Sequence, residues 1–181
     1  MDQENTSKKR PKKDEAPSSA VSFIFCISTI AVLGLVVFVG FSQMRLDLRR
    51  ELFDAIGNHD ITRMQMAINW GADVNAVNWR GNTPLIHAIR PDMGLDAIRL
   101  LLGSGADINA TGSAGLTALM HAAHNSISPS TVLFLLDNGA DVSIKCNAGR
   151  NALYYLERNE FLSRLPQIVV IRERMISQIE E

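Results

Sequence analysis

The chain has 181 residues, a formal net charge of −1 and a pI of about 6.4, so its overall charge gives no case for nucleic-acid binding. The length allows one domain of ordinary size plus an appendage. Two distant cysteines, Cys26 and Cys146, are too few for a disulfide framework or a cysteine-based zinc site.

The N-terminal segment, residues 1–19, is polar and carries five basic side chains between Lys8 and Lys13. It cannot bury enough apolar surface to offset the entropy of ordering, which predicts a disordered basic tail. A basic run can also be a nuclear-import or nucleic-acid patch. The apolar segment that follows favours the simpler interpretation, a solvated basic flank.

The next segment, Ala20–Phe41, contains 22 residues and no charge. At the rise of an α-helix it spans about 30 Å, the thickness of a bilayer's hydrocarbon core, which predicts a transmembrane helix over residues 20–42. A buried core helix would need a larger surrounding domain. Cleavage after Ser42 is the other alternative, but the apolar run is too long for a signal peptide, which favours an uncleaved signal-anchor.

Charges at the two ends of this segment indicate its orientation. Five Lys and Arg residues precede it, and three follow it at Arg45, Arg49 and Arg50. This difference favours a cytoplasmic N-terminus and an extracytoplasmic C-terminal domain, with the opposite topology as the rival. The junction, residues 43–47, has helical spacing without a breaker and predicts a short or continuous helix.

A short motif recurs through the rest of the chain. GADVN at Gly71–Asn75 returns as GADIN at Gly105–Asn109 and GADVS at Gly139–Ser143, 34 residues apart each time. The segments GNTPLIHA, GLTALMHA and GRNALYYL and the leucine-rich runs AIRLLL and TVLFLL keep the same spacing. Several landmarks with one period indicate a repeat architecture.

The sequence pattern of each unit predicts a pair of helices followed by an extended finger-like loop. Thr83 is a capping residue, and Pro84 suits the first helical position because no amide donor is needed there. The second helix is expected over about 95–104 and then over about 130–138. The glycines that follow these helices fit the left-handed position at a helix end. Because one helical pair cannot bury its apolar side alone, the units should stack as an all-α solenoid.

This pattern resembles the ankyrin repeat family, whose units are about 33 residues long and carry T-P-L-H-x-A. The resemblance covers roughly residues 48–165. It implies a domain over 48–181 with repeats at about 48–80, 81–114, 115–148 and 149–181, of which the first and last are capping variants. The last unit has lost the threonine and proline. Its second helix is expected over about 167–177 as an amphipathic cap with one side to solvent, and its apolar residues are Ile168, Val169, Ile171, Met175 and Ile176.

The histidine of the family motif falls one position late, at His87 and again at His121. The family's usual hydrogen bond from this histidine to the turn is therefore not assured. No nucleophile–base set and no metal-ligand spacing is evident among the titratable residues. We therefore expect no enzyme activity, no cofactor, no metal and no small-molecule substrate.

Solenoids of this kind bind partners through extended surfaces. In the ankyrin resemblance, variable contact positions flank the glycine of each finger and follow each first helix. Trp and Arg are enriched in binding hot spots, which makes an exposed Trp79 the most specific prediction, with a Trp79 folded over a neighbouring loop as the alternative. These positions are Trp79, Arg80 and Asn82 in the first finger, Ser113, Ala114 and Leu116 in the second, Asn147, Ala148 and Arg150 in the third, and Arg90, His124 and Asn125 after the first helices. Trp70, just before Gly71, is expected to pack at a helix end.

The sequence thus predicts a single-pass membrane protein whose ankyrin-like stack docks a partner protein as a scaffold. The alternative is a structural accessory subunit that acts mainly through its membrane helix.

Overall fold

The computed structural model describes residues 43–45, 47–90, 94–125 and 128–180. Contacts divide the chain into two compact units, Met1–Gln43 and Met44–Glu181. The predicted tail and the predicted transmembrane segment at 20–42 lie outside the described residues. In the ranges that are described, no helix is both long enough and apolar enough to cross a membrane.

The second unit is built from α-helices and contains no strand in its described residues, so the all-α prediction is confirmed for this part of the chain. Residues 43–45 and 47–57 are helical, and we call the run over 47–57 α1. The remaining helices are α2 (Ile61–Asn69), α3 (Pro84–Ala88), α4 (Leu95–Gly103), α5 (Ala118–Asn125), α6 (Pro129–Asp137), α7 (Ala152–Glu157) and α8 (Ile168–Glu180), with 3₁₀ turns at Ser113–Gly115 and Leu162–Arg164.

Equivalent side chains start the first helix of each unit. Thr83 Oγ1 accepts a hydrogen bond from the amide of Ile86 at 3.3 Å, directly before Pro84 opens α3. Thr117, 34 residues later, makes the same contact before α5. At the next equivalent position Asn151 caps α7, although this unit has lost its threonine and proline. The predicted cap therefore holds, and its last copy uses a different residue type with the same capping capacity.

The helices form two rows. In the inner row α3 packs on α5 and α5 packs on α7, while α4 and α6 each pack on the inner helix of their own unit. Ala88 and Ala122 are fully buried in the inner row, where their small side chains let neighbouring helices approach closely. Large apolar side chains such as Leu119 fill the space between the rows. The core is thus shared between units, as the stacking argument requires.

The glycine–alanine–aspartate loops link one unit to the next through asparagine. Asn75 accepts a hydrogen bond from the Asp107 amide at 2.7 Å and donates to the Gly105 carbonyl at 3.1 Å. Asn109 repeats both contacts with Asp141 and Gly139, at 2.8 and 3.4 Å. The loops can follow this path because their glycines have positive φ, 89° at Gly105 and 86° at Gly139, as the sequence predicts.

The last unit departs from the repeat. Its outer helix, α8, buries Ile171 and Met175, which agrees with an amphipathic cap. Val169, expected on the apolar side of this helix, is instead exposed, as is Val170. The side-chain amide of Asn159 donates to the Ala123 and His124 carbonyls at 3.0 and 2.9 Å, which ties this unit to the end of α5.

Candidate protein-binding face

The three fingers are equivalent tight hairpins. In finger 1, residues 78–82, the Asn78 amide donates to the Asn82 carbonyl at 2.9 Å, and the Gly81 amide donates to the Asn78 carbonyl at 2.9 Å. Finger 2, residues 112–116, and finger 3, residues 146–150, repeat both bonds at the same positions. The same backbone bonds close each hairpin at equivalent positions, and finger 2 differs at its tip, where Ala114 has a positive φ of 59°.

Neighbouring fingers are also bonded to each other. The Ser113 amide donates to Asn82 Oδ1 at 2.9 Å, and the Asn147 amide donates to the Ala114 carbonyl at 3.0 Å. A Cβ atom at Gly112 would lie 2.6 Å from Asn82 Oδ1, so a larger residue there would displace the Asn82 side chain. Asn82, predicted as a partner contact, therefore already uses its carbonyl oxygen within the protein.

Trp79 is the most exposed large side chain of this surface, with 84% of its area accessible. The guanidinium of Arg80 lies 4.4 Å from the centre of its ring, a cation–π contact that fixes the orientation of both side chains. Trp70 differs from its prediction. It lies at the end of α2 as expected, but its side chain is 65% exposed instead of packed there.

A cleft of about 450 Å³, which we call the first cleft, lies beside Trp79. It is formed by α1, finger 1 and α3, and its lining is aromatic and basic with a single carboxylate. The lining residues are Arg49, Arg50, Phe53, Asp54, Asn78, Trp79 and His87.

The histidine of the first cleft, His87, packs edge-on against Phe53, with ring centres 5.6 Å apart. Burial lowers the pKa of His87, and the positive charges of Arg90 and Arg80 lower it further. The imidazole is therefore neutral at physiological pH. Its contact is with α1 of the preceding unit, in place of the family's usual bond to the turn.

A second pocket, of about 280 Å³, lies one unit further along and is lined by finger 2, α5 and α7. Its lining residues are Leu116, Met120, His121, His124, Asn125 and Tyr155. Nε2 of His121 is buried there and has no hydrogen-bond partner among the described residues. Burial lowers the pKa of His121, and the neighbouring His124 lowers it further.

The last unit ends this surface with an aromatic and basic cluster. The guanidinium groups of Arg150 and Arg158 lie 4.8 and 4.4 Å from the ring centre of Tyr154. Cys146, the first residue of finger 3, is buried, and its Sγ lies 3.4 Å from the Tyr155 hydroxyl. That hydroxyl, more than any cation, lowers the pKa of the Cys146 thiol.

Fingers 1–3 and the exposed sides of α3, α5 and α7 thus form one surface, which we call the finger face. The two pockets and the Arg150–Tyr154 contact each join a finger to an inner helix. Three predicted contact residues, Leu116, His124 and Asn125, meet at the second pocket. Arg90 is exposed just after α3, and Ser113, Ala114, Asn147 and Ala148 are exposed on fingers 2 and 3. As contacts for a partner protein, these residues stay predictions.

Sequence reasoning missed several residues of this face. Arg158 lies 34 positions after His124 and 68 after Arg90, so the rule that selected those two would also have selected Arg158. Arg49 and Arg50 have no such signal, because they line the first cleft from α1, outside the finger pattern. Among the described residues, no group of three His, Cys, Asp or Glu side chains is arranged to hold a metal ion.

The stacked helical pairs and their hairpin loops define a helical-repeat protein of the kind that presents a surface to other macromolecules. A sequence model of the family described as ankyrin repeats (3 copies) matches residues 92–163. This part of the chain belongs to the ankyrin repeat family, which confirms the resemblance seen in the sequence. A search of curated proteins found no significant match to the chain. Ankyrin repeats are modules of protein–protein interaction, and this class applies here.

Proposed function

We propose that this protein is a membrane-anchored docking module that binds a partner protein through its finger face. The main support is the exposed row of finger tips, where Trp79 leaves 84% of its surface to solvent. Trp and Arg at such positions are typical of binding hot spots.

The rigidity of the finger face favours binding of a partner to a preformed surface over binding that requires the fingers to rearrange. Each finger is closed by two backbone hydrogen bonds and is tied to the next finger by a third. A partner therefore meets a surface that is already ordered, and little conformational entropy is lost when it binds.

The membrane anchor in this proposal is the uncharged segment at 20–42, supported by its length and composition alone. The charge difference across it favours an extracytoplasmic finger face. A compartment-sensitive reporter fused after Glu181 tests this orientation. A cytoplasmic signal would reverse the topology, and extraction of the full chain by alkaline carbonate would contradict the anchor.

Site-specific photo-crosslinking tests the docking surface in the full chain. A photoreactive residue replaces Ser113 or Asn125 on the finger face, and Met66 or Val170, both exposed on outer helices, as matched controls. We expect one discrete protein adduct from the finger-face positions and none from the controls. Adducts from the outer positions alone would refute the proposed face.

Replacing residues 20–42 by an unrelated apolar helix separates docking from the accessory-subunit alternative. A docking module keeps the finger-face adduct after this exchange, because the repeats carry the contact. Loss of the adduct from a correctly inserted chain would assign partner binding to the membrane helix instead.

A further inference from the structure

The arginines of the described repeats differ in what surrounds their guanidinium, and Arg99 of outer helix α4 lies 4.6 Å from the ring centre of Phe134. Arg63, Arg172 and Arg174 are each paired with a carboxylate. Arg63 pairs with Glu51 at 2.6 Å, Arg172 with Glu157 at 3.2 Å, and Arg174 with Asp137. All three belong to the outer helices α2 and α8, where their positive charges are neutralised within the protein.

Five arginines on the finger face and in the first cleft have other surroundings in the described part of the chain. Arg80, Arg150 and Arg158 lie over aromatic rings. Arg49 and Arg50 line the first cleft, and in the described part of the chain neither forms an ion pair. The cleft contains one carboxylate, from Asp54, against these two guanidinium groups and that of Arg80 at its rim. Its local charge is therefore positive, although the chain as a whole is slightly negative.

We propose that the first cleft binds a Glu or Asp side chain from an acidic segment of the partner protein. This rests on the proposed docking function and adds the chemistry of the partner. Guanidinium groups form bidentate, charge-assisted hydrogen bonds with carboxylates, and Arg49 and Arg50 are the two in this cleft that no carboxylate occupies. The exposed ring of Trp79 gives the same segment an apolar contact.

The shape and continuity of the surface favour a peptide over a lipid headgroup. The lining also contains Asn78 and His87, which offer hydrogen bonds to a peptide backbone. The finger face continues past the second pocket to Arg150 and Arg158, which supply positive charge at its other end. An extended segment with acidic residues along its length would meet complementary charge at both ends.

Binding of synthetic peptides to the full chain, held in a nanodisc of zwitterionic lipid, tests this proposal. The probe is a fluorescently labelled peptide of alternating Glu and Ser, and the matched control is the Lys and Ser peptide. A Trp70→Phe background leaves Trp79 as the only tryptophan. We expect saturable binding of the acidic peptide, a change in Trp79 emission, and weaker binding as salt increases.

Charge variants show whether the cleft itself binds the peptide. Arg50→Gln should weaken acidic-peptide binding by about tenfold, since a lost charge-assisted contact is worth roughly one decade of Kd. Arg99→Gln removes the same charge from outer helix α4, together with the contact of its guanidinium with the Phe134 ring, and should leave peptide binding unchanged. Arg50→Glu leaves Arg49 and Arg80 against two carboxylates, so the first cleft has no net charge and should lose its preference for the acidic peptide over the Lys peptide.

Three results would overturn the inference: equal binding of both peptides, equal effects of the Arg50 and Arg99 substitutions, or no binding of the acidic peptide. A Trp79 response to nanodiscs containing phosphatidylserine, without a response to the peptide, would assign the cleft to a lipid surface. If finger-face crosslinks persist while the acidic peptide fails to bind, docking stands and only the acidic partner is refuted.

Discussion

In the second and third units, the loop is joined to the preceding loop by hydrogen bonds to an asparagine at the same position of the repeat. The final helical pair is joined to the stack by a different asparagine. Asn75 and Asn109 each bridge forward to the glycine carbonyl and aspartate amide of the next unit. The equivalent residue in the third loop is Ser143. Its amide bonds to Asp141 within the same loop, and its side chain makes no bridge to another unit in the described chain.

The final helical pair is held instead by Asn159, which lies outside the repeating motif. Its amide group donates to two carbonyls at the end of α5, and its Oδ1 accepts from the Phe161 and Leu162 amides. Residues of the repeated motif thus join the internal units, whereas a residue outside that motif joins the last unit to the stack. We expect the two kinds of junction to differ in cooperativity.

The largest expected effect distinguishes an internal core position from a terminal one. Leu119 in α5 and Leu162 in the last unit are both fully buried. Leu119→Ala should cost about 2–5 kcal/mol and destabilise the whole stack, because α5 packs on both neighbouring inner helices. Leu162→Ala should chiefly open the last unit. Hydrogen–deuterium exchange resolved by peptide measures both, and equal loss of protection in α3 after either substitution would contradict the distinction.

The second expected effect tests the terminal junction itself. Asn159→Ala removes two donors from the carbonyls of Ala123 and His124 and should cost about 1–3 kcal/mol. Exchange should increase first in α7 and α8. Asn69→Ala is the matched control, because Asn69 bonds only to Gln65 on the same exposed helix among the described contacts. Equal midpoints of thermal unfolding for the two variants would remove Asn159 from this role.

Features that depend on local backbone requirements were predictable from the sequence. The period placed Thr83 as a cap and Gly105 and Gly139 in the left-handed region. This was possible because the backbone conformation at each position favours that residue type. The family and the all-α fold follow from the same regularity.

Features that depend on contacts between distant segments were not predictable. The first cleft joins α1 to finger 1 and α3, and no periodic signal places Arg50 opposite Trp79. The exposure of Trp70 and Val169 also differed from expectation. A helical pattern identifies the apolar side of a helix, but it does not show how far the neighbouring helix extends to cover that side. Asn82 looked like a free finger-tip residue because its bond to the Ser113 amide links positions 31 residues apart.

A smaller effect is expected for the repeated bridge. Asn109→Ala leaves the Asp141 amide and the Gly139 carbonyl to solvent, and because these groups are near the surface it should cost about 1 kcal/mol. Ser143→Ala, at the equivalent position without a bridge, should change stability by less than about 0.5 kcal/mol. Thermal unfolding of the full chain compares the two. A cost at Ser143 equal to that at Asn109 would show that the bridge is not what stabilises the junction.

The smallest expected effect is on the pH dependence of stability. It compares a histidine buried in inner helix α5 with an exposed histidine in a turn. Burial lowers the pKa of His121 below its ordinary value of 6.5 in the folded protein, and His124 adds to this. As the pH falls, the unfolded chain therefore binds the proton first. The contribution of neutral His121 to the free energy of unfolding is fully present above pH 6.5. It is lost as the pH falls through that value toward the folded-state pKa.

Between about pH 7.5 and about pH 5, the unfolding midpoint of the wild-type chain should therefore fall more than that of His121→Leu, which has no proton to bind at this position. His59→Asn is the control, because His59 is exposed and its positive φ of 59° suits asparagine. His87 is subject to the same linkage through burial and its arginine neighbours, so some pH dependence should remain in His121→Leu. An identical decline in wild type and His121→Leu would mean that the buried Nε2 reaches water or a hydrogen-bond partner before the stack unfolds.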